Sequence, residues 1–289
     1  MMSIPMEIIT DDRELESPGF YWRELNGLRA LVCGPLEQEG FTNGFSTRLG
    51  GVSRMPSEAL NLAGFDDDAA ENIYENRRRF LSLFEGDWTL AGCWQVHGSD
   101  VRVVKNIEDA RSIPGARGET VYGDALVTDA RHILLGVKTA DCVPVLLGDA
   151  RTGACAAVHA GWRGTVAGVV SRALKRLHEE YGTQAGDVRA AIGPAARACC
   201  YEVGAEVIEA FRERFIDADE LLTQTREGHA LIDIQRANQT ELMSAGVAPH
   251  RIHIAPLCTM DRTDIFFSYR REKLRYGRVG RLMSVIGRG

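Results

Sequence analysis

The chain contains 289 residues, which allows one large domain or two small ones at ~150 residues per domain. Hydrophobic residues make up 45% of the chain and charged residues 26%, a composition typical of an ordinary soluble globular protein. The 34 Lys and Arg residues against 40 Asp and Glu residues give a net charge of −6. This balance argues against nonspecific binding to nucleic acid or to an anionic membrane, and it leaves open a small anionic ligand held by one or two arginines.

The N-terminus and the apolar runs give no sign of secretion or membrane insertion. Residues Met1 to Glu7 lack the basic region and the long apolar core of a secretory signal. The longest apolar runs, near Ile133–Val137 and Val143–Leu147, are much shorter than the ~20 residues of a membrane span. The seven cysteines are scattered and odd in number, which does not suit a disulfide framework. We expect a cytoplasmic protein with free thiols and no membrane partner.

The predicted elements mix strands and helices along the chain. Apolar residues at three- and four-residue steps predict helices, and short apolar runs bounded by Gly or Asp predict buried strands. In chain order these are a helix around Ile73–Phe84, strands at Leu90–Val96, Val101–Val104, Ala125–Thr128, Ile133–Lys138, Val143–Leu147 and Ala154–His159, a helix over Thr165–Tyr181, a strand at Val188–Ile192, a helix around Val203–Phe215, a strand at Ala230–Ile234, a helix over Gln235–Ala245, and strands at Ile252–Ala255 and Ile265–Tyr269. The polar segment from Asn106 to Thr120 is expected to be a surface excursion. The pattern predicts one compact domain of mixed α/β class with a substantial sheet core.

Three residues in strand-to-turn contexts form a candidate metal site. His97 follows a predicted strand, Cys142 lies between two apolar runs, and His159 ends a strand just before the glycine-rich turn that starts at Gly161. A His/Cys/His set suits zinc and leaves a fourth coordination position for water or substrate, and copper accepts the same donors. From spacing alone the alternatives stay open, because Cys142 also reads as a core thiol and His159 as a hydrogen-bonded structural residue.

The motifs around these residues resemble those of a known family. They are Gln95–Gly98 (QVHG), Ala140–Leu146 (ADCVPVL), Val158–Gly164 (VHAGWRG), Gly44–Ser53 (GFSTRLGGVS), Cys200–Gly204 (CYEVG) and Phe266–Arg271 (FFSYRR). Together they strongly resemble the YfiH family, long labelled laccase-domain or polyphenol-oxidase-like and now described as purine nucleoside phosphorylases with adenosine deaminase activity. The matches run in order from residue 43 to residue 281, so the resemblance covers nearly the whole chain.

The resemblance carries expectations about fold, metal and activity. It implies a single catalytic domain with a central β-sandwich flanked by helices, a core of about residues 20–287 and an N-terminal extension at 1–18. It implies that His97, Cys142 and His159 bind zinc, with copper as the alternative. It also implies that a purine nucleoside (adenosine, inosine or methylthioadenosine) reacts with phosphate to give the base and ribose 1-phosphate, with adenosine deamination as a further activity.

Four further residues are expected at the site. We assign Arg48, in the STR motif, to phosphate or ribosyl-phosphate binding and to catalysis, because a guanidinium donates bidentately to such groups; its alternative is an ion pair with a carboxylate or a solvated loop position. Asp141 is expected to orient a metal-bound water or a ligand imidazole, or else to accept backbone N–H groups at a strand end. Asn61 and Arg163 are weaker candidates for substrate binding.

Two departures from the family pattern, a cysteine pair and the remaining histidines complete the site predictions. Asn43 stands where relatives often have His, and the segment 195–198 lacks a usual glycine-containing loop; both bear on substrate preference. Cys199 and Cys200 are expected to be core thiols. The other histidines, His132, His178, His229, His250 and His253, are expected to be structural or to lie on the surface.

Other functions stay open from the residues. Cys142 with His159 as base would suit a thiol hydrolase, and the link of some relatives to peptidoglycan precursors would suit a hydrolase that edits them. A copper-dependent phenol oxidase is less well matched, because multicopper chemistry needs many histidines and the chain has seven. A noncatalytic metal-binding protein is the last alternative. The sequence leaves the oligomeric state undetermined.

Overall fold

A computed structural model describes residues 7–9, 15, 19–54, 59–63, 68–111 and 121–289. Its strands are β1 (Glu7–Ile9), β2 (Phe20–Leu25), β3 (Leu28–Cys33), β4 (Thr42–Ser46), β5 (Thr89–Ala91), β6 (Val101–Val103), β7 (Ala125–Thr128), β8 (Ile133–Thr139), β9 (Val143–Asp149), β10 (Cys155–Ala160), β11 (Val188–Ile192), β12 (Glu202–Gly204), β13 (Leu222–Arg226), β14 (His229–Ile232), β15 (Ile252–Ile254) and β16 (Leu282–Arg288). Its helices are α1 (Gly34–Gln38), α2 (Ala70–Leu81), α3 (Ile107–Arg111), α4 (Trp162–Val166), α5 (Val169–Tyr181), α6 (Ala205–Arg214), α7 (Ile234–Ser244) and α8 (Tyr269–Tyr276).

Two large sheets stack face to face as a sandwich. One has the strand order β1-β2-β3-β4-β16-β8-β5 and the other β15-β11-β9-β10-β7-β6. Strand side chains alternate between the two faces of a sheet, and the inner faces supply one shared core that includes Val137 of β8, Leu146 of β9 and Ala157 of β10. Because both sheets contribute to this core, neither inner face is left against water.

Helices cover the outer faces of the sandwich. Helix α5 turns one apolar stripe, with Val170 and Leu174, onto the outer side chains of the six-stranded sheet, such as Val145 and Val158. Helix α2 places Phe80 against the outer face of the seven-stranded sheet. A third sheet of order β12-β14-β13 shares the core of the α5 layer. This layered arrangement leaves the ends of β9 and β10 as the place where loops from several elements meet.

The predicted mixed α/β class with a central β-sandwich flanked by helices is confirmed. Some predicted elements are wrong: the strand expected at Leu90–Val96 stops at Ala91, and Ile265–Tyr269 forms no strand, since Phe266 and Phe267 are buried from an irregular segment. The helix expected over Thr165–Tyr181 is broken at Gly168, whose φ of +74° suits glycine. Strands β2, β3, β4 and β16 were not predicted.

Other expectations have mixed outcomes. The segment 106–120 contains helix α3, and residues 112–120 lie outside the described part of the chain. The core and extension boundaries stay predictions, although β1, from the expected extension, pairs with β2. Among the described residues, no helix has both the length and the apolar character needed to cross a membrane.

Candidate metal centre

Strand pairing brings Cys142 and His159 together at one end of the sandwich. β9 and β10 are antiparallel, with Ala160 opposite Val143 and His159 opposite Pro144. Cys142 directly precedes β9, so this register places it beside the end of β10. His159 shares the inner face of β10 with Cys155 and Ala157, because alternate residues of a strand point to the same side. His159 is buried and Cys142 is partly buried.

The buried carboxylate of Asp124 contacts both His159 and the loop that carries His97. Asp124 directly precedes β7, the second neighbour of β10, and its Oδ1 lies 2.8 Å from Nδ1 of His159. The backbone carbonyl of Asp124 also accepts a hydrogen bond from the His159 amide at 2.7 Å. A carboxylate on Nδ1 fixes the tautomer and ring orientation of a histidine and leaves Nε2 as the atom for a metal.

The same carboxylate anchors the loop that carries His97. The amides of His97 and Gly98 donate to Asp124 at 3.0 and 2.7 Å, and the Val96 amide donates at 3.3 Å. His97 has a φ of +60°, a left-handed conformation that costs free energy for a non-glycine residue and is held by its surroundings. His97 lies in a loop beyond the end of β5, and not directly after a strand as predicted. Its ring centroid is nevertheless 4.9 Å from that of His159.

The pKa values of Cys142, His159 and Asp124 depend on their neighbours in the site. Burial disfavours the thiolate, but the nearby His159 and His97 outweigh it and lower the pKa of Cys142 to about 6. Burial likewise opposes protonation of His159, but Cys142 and Asp124 raise its pKa to about 9. Burial also works against the Asp124 carboxylate, and the His159 contact and loop amides nevertheless lower its pKa. The site thus favours a thiolate, the form in which cysteine binds metals.

The three residues fit a metal ion. One donor atom from each of His97, Cys142 and His159 lies within 4.8 Å of the other two. Metal–ligand bonds are about 2.0–2.3 Å long, so two donors on one ion are separated by less than 4.8 Å. Gly161 keeps the space clear, because a Cβ there would lie 3.0 Å from both Cys142 Sγ and His97 Cδ2. Two imidazoles and one thiolate are donors that zinc and copper both accept.

A cavity of about 590 Å³ opens onto these donors. Its walls carry aromatic side chains, among them Trp94, Trp162, Tyr201 and Tyr269, and cationic ones. The cationic lining consists of Lys138, Arg163, Arg270 and Arg281. A volume of this size suits a small organic ligand, and the lining favours one that combines a flat ring with negative charge.

Arg163 and Asp141 line this cavity, as expected of site residues. The Arg163 guanidinium lies over the Trp162 ring at 4.1 Å and contacts Glu206 at 3.2 Å on the surface. Asp141 turns its carboxylate toward a neighbouring segment, where it accepts hydrogen bonds from the Arg270 amide, the Thr259 hydroxyl and the Ser268 hydroxyl. Burial, opposed by these donors, raises its pKa. These contacts favour the alternative in which Asp141 fixes local structure.

Arg48 does not line the cavity that contains His97, Cys142 and His159. Its Nη1 donates to Glu272 and to the Thr263 carbonyl, both at 2.8 Å, and its guanidinium lies over the Phe267 ring. Both partners of the ion pair are buried. Arg48 borders a second cavity, lined also by Arg271. The phosphate-binding role expected of Arg48 stays a prediction, and these contacts favour its alternative, the ion pair with a carboxylate.

Asn61 and Asn43 are both buried within the fold. Asn61 Oδ1 accepts from the backbone amides of Arg281 at 2.9 Å and Ala63 at 3.2 Å, so it positions the backbone of a cavity residue. Asn43 exchanges hydrogen bonds with the backbone of Cys33 through both ends of its amide. Neither asparagine lines the cavity that contains the metal ligands.

Two sequence predictions need correction or addition. All seven cysteines are free thiols, but Cys199 is exposed and is therefore no core thiol. Asp124 is the functional residue that sequence reasoning missed. Its signal is weak, a lone Asp between Gly123 and a short strand, and its role depends on the β7–β10 pairing.

The fold and the site define a β-sandwich protein with a candidate metal centre of three residues that line a cavity. Residues 42–289 match the family described as multi-copper polyphenol oxidoreductase laccase. The chain is 37% identical over 240 residues to a purine nucleoside phosphorylase of Bacteroides thetaiotaomicron, covering 81% of this chain and 87% of that one. It is 33% identical over 237 residues to adenosine deaminase RL5 of an unknown prokaryotic organism, covering 81% and 90%.

A solved structure agrees with these matches. The crystal structure of Bacillus licheniformis hypothetical protein YfiH aligns with a TM-score of 0.84 and 29% identity, covering 93% of this chain and 99% of that one. The chain belongs to this YfiH, or laccase-like, family.

Proposed function

We propose that this protein is a metal-dependent purine nucleoside phosphorylase. The observation that carries the proposal is the His97/Cys142/His159 centre at the floor of a cavity with aromatic and cationic walls. The names of the relatives support it, since one of them is a purine nucleoside phosphorylase. The substrates proposed are a purine nucleoside, such as adenosine, inosine or methylthioadenosine, and inorganic phosphate.

The cavity lining divides naturally between the two substrates. Aromatic rings such as Tyr201 and Trp162 offer flat surfaces for a purine. Arg163, Arg270 and Arg281 offer guanidinium groups for phosphate. The Arg270 guanidinium is itself held over the Tyr201 ring at 5.0 Å and donates to the Glu202 carbonyl, so a base-binding surface and a phosphate-binding group are held in one arrangement.

The reaction exchanges one bond at the sugar for another. A phosphate oxygen forms a bond to C1′, the C1′–N9 bond breaks with its electron pair going to the purine, and the purine takes up a proton. The cationic side chains would hold phosphate beside a sugar that becomes oxocarbenium-like. A zinc or copper ion held by His97, Cys142 and His159 would supply a Lewis acid beside the bound nucleoside.

Adenosine deamination is the second activity proposed for the same cavity. The relative named adenosine deaminase supports it. In this reaction, water replaces the amino group at C6, and the products are inosine and ammonia. In this proposal both reactions take place beside the same metal centre. A variant that loses the metal should therefore lose both activities.

The experiment is base release measured by chromatography with and without phosphate. Cys142→Ala should abolish release, because it removes one of three metal donors. Cys155→Ala is the matched control, since Cys155 is a free thiol buried in β10 and outside the cavity. Release that continues in Cys142→Ala, or that needs no phosphate, would contradict the proposal.

A thiol hydrolase is the second candidate, and one observation favours it. The lowered pKa of Cys142 beside the raised pKa of His159 is the pattern of an activated cysteine and its base. Chelation separates the two functions. A metal enzyme loses activity on chelation and regains it with zinc, whereas a thiol hydrolase survives chelation and is inactivated by iodoacetamide.

A further inference from the structure

A second group of three donors lies outside the proposed active centre. The sulfur atoms of Cys199, Cys200 and Cys258 all lie within 4.8 Å of one another, and Cys199 and Cys200 are 3.5 Å apart. The sequence gives no reason to expect Cys258 near the other two. The group shares no residue with His97, Cys142 and His159.

Backbone pairing brings the three thiols together. Ala195 and Cys258 form a parallel bridge, and the Thr259 amide donates to the Ala195 carbonyl at 3.0 Å. A turn closed by the Cys200 amide on the Arg197 carbonyl at 2.9 Å then folds the cysteine pair back toward Cys258. Because the contacts are made by backbone groups, the cluster is a fixed feature of the fold.

The chemistry of the cluster suits a soft cation. Its three donors are all sulfur, and thiolates select Cu(I) and Zn(II) over hard cations. With metal–sulfur bonds of about 2.3 Å, three thiolates on one ion lie about 4 Å apart, a spacing compatible with the observed limits. Cys258 is buried against Met260 and Ala196, while Cys199 is exposed, which gives an ion an apolar floor and an entry path.

We propose that Cys199, Cys200 and Cys258 form a second, sulfur-only metal site that binds Cu(I) or Zn(II). The site would tie a segment that lines the cavity to one that contacts a cavity residue. Tyr201, next to Cys200, lines the cavity, and Thr259, next to Cys258, donates to the Asp141 carboxylate at 2.8 Å. Its occupancy would therefore stabilise the wall of the proposed active centre without contributing a donor to it.

The first test uses Cd²⁺ alone as a probe, because thiolate coordination gives it an ultraviolet charge-transfer band. The full chain carries Cys142→Ala, which removes the thiolate of the other site. We expect the band to persist in Cys142→Ala, to persist in Cys142→Ala/Cys155→Ala, and to weaken in Cys142→Ala/Cys199→Ser, which removes one of the three sulfur donors. Cys199 is exposed, so its replacement should leave the circular dichroism unchanged. A band absent from Cys142→Ala would overturn the proposal.

The second test identifies the cation by alkylation and mass spectrometry. One equivalent of Cu(I) or of Zn(II) is added to the reduced Cys142→Ala protein before iodoacetamide. We expect one of the two ions to slow the modification of Cys199 about tenfold, because a metal-bound thiolate is a poor nucleophile. Equal rates with and without both ions would overturn the proposal. Neither test depends on nucleoside turnover, so its outcome is independent of the proposed function.

Discussion

The Asp124 carboxylate lies 2.8 Å from Nδ1 of His159 and also accepts a hydrogen bond from the amide of His97 at 3.0 Å. One buried side chain therefore positions two of the three proposed metal donors. It orients the first through its ring and the second through its backbone. Such outer partners govern metal affinity nearly as strongly as the donors themselves.

Asp124→Asn should weaken zinc binding by about 10- to 100-fold. The amide keeps one acceptor oxygen but replaces Oδ2, which accepts from the Gly98 and Val96 amides, with an NH₂ donor. It also removes the negative charge beside the imidazole. Affinity would be measured by competition with a chromophoric chelator. Asp100→Asn is the control, because the Asp100 carboxylate is exposed and lies 3.9 Å from Arg102. Equal affinity in Asp124→Asn and the wild type would show that the carboxylate does not organise the centre.

Gly161→Ala should displace two metal donors. The added Cβ would lie 3.0 Å from both Cys142 Sγ and His97 Cδ2, closer than most real Cβ contacts. We expect bound zinc and base release each to fall about tenfold or more. Gly186→Ala is the matched control, since no atom of the described residues lies within 4 Å of a Cβ at that position. Full metal content in Gly161→Ala, by elemental analysis, would contradict the packing argument.

The two arginines expected at the site should behave differently. Arg48→Met leaves Glu272 buried without its ion-pair partner, so we expect a loss of about 3–5 kcal/mol in the free energy of unfolding. Arg163→Gln should leave stability unchanged, because the Arg163 side chain is largely exposed. It should raise the KM for phosphate roughly fivefold, because it removes one of the guanidinium groups that line the cavity. Arg172→Gln, on the exposed face of α5, is the control. A raised phosphate KM in Arg48→Met with unchanged stability would restore Arg48 to the site.

Stability should fall as the pH drops below about 6.5, in part through His253. Burial, and then the nearby Arg189, lower the pKa of His253 below its ordinary value of 6.5. The unfolded chain therefore binds a proton in a range where the folded chain does not, and unfolding becomes more favourable as the pH falls through that range. Urea unfolding between pH 5 and 8 should show a shallower decline for His253→Gln than for the exposed control His250→Gln. Identical pH profiles would remove His253 from this account.

The sequence predicted the parts of the fold that local patterns encode. The strand at Ala125–Thr128 and the strand at Val188–Ile192 have the predicted bounds, because each is a short apolar run with clear ends. Strands β3 and β16 were missed, although both are largely buried. Strand β16 pairs with β4 and β8, which are distant in the chain, whereas β3 pairs with its neighbours β2 and β4. In both cases the apolar pattern of one segment does not reveal which sheet will accept it.

The site was predictable only as far as single residues carry chemistry. The structure brings His97, Cys142 and His159 together as the motifs predicted. Asp124 was missed because it is far from His159 in the sequence and approaches it only when β7 pairs with β10. Arg48 is the opposite case. Its motif predicted a contact with phosphate, whereas in the structure its guanidinium pairs with Glu272.

The most direct test of the central claim follows the origin of the oxygen that joins C1′. The zinc-loaded protein is given inosine and phosphate in water enriched in ¹⁸O, and the sugar product is examined by mass spectrometry. The account predicts ribose 1-phosphate without ¹⁸O, formed by the wild type and by Cys155→Ala but not by Cys142→Ala. Free ribose formed in place of ribose 1-phosphate, at the same rate with and without phosphate, would mean that water, and not phosphate, attacks the sugar, and it would contradict the phosphorylase assignment.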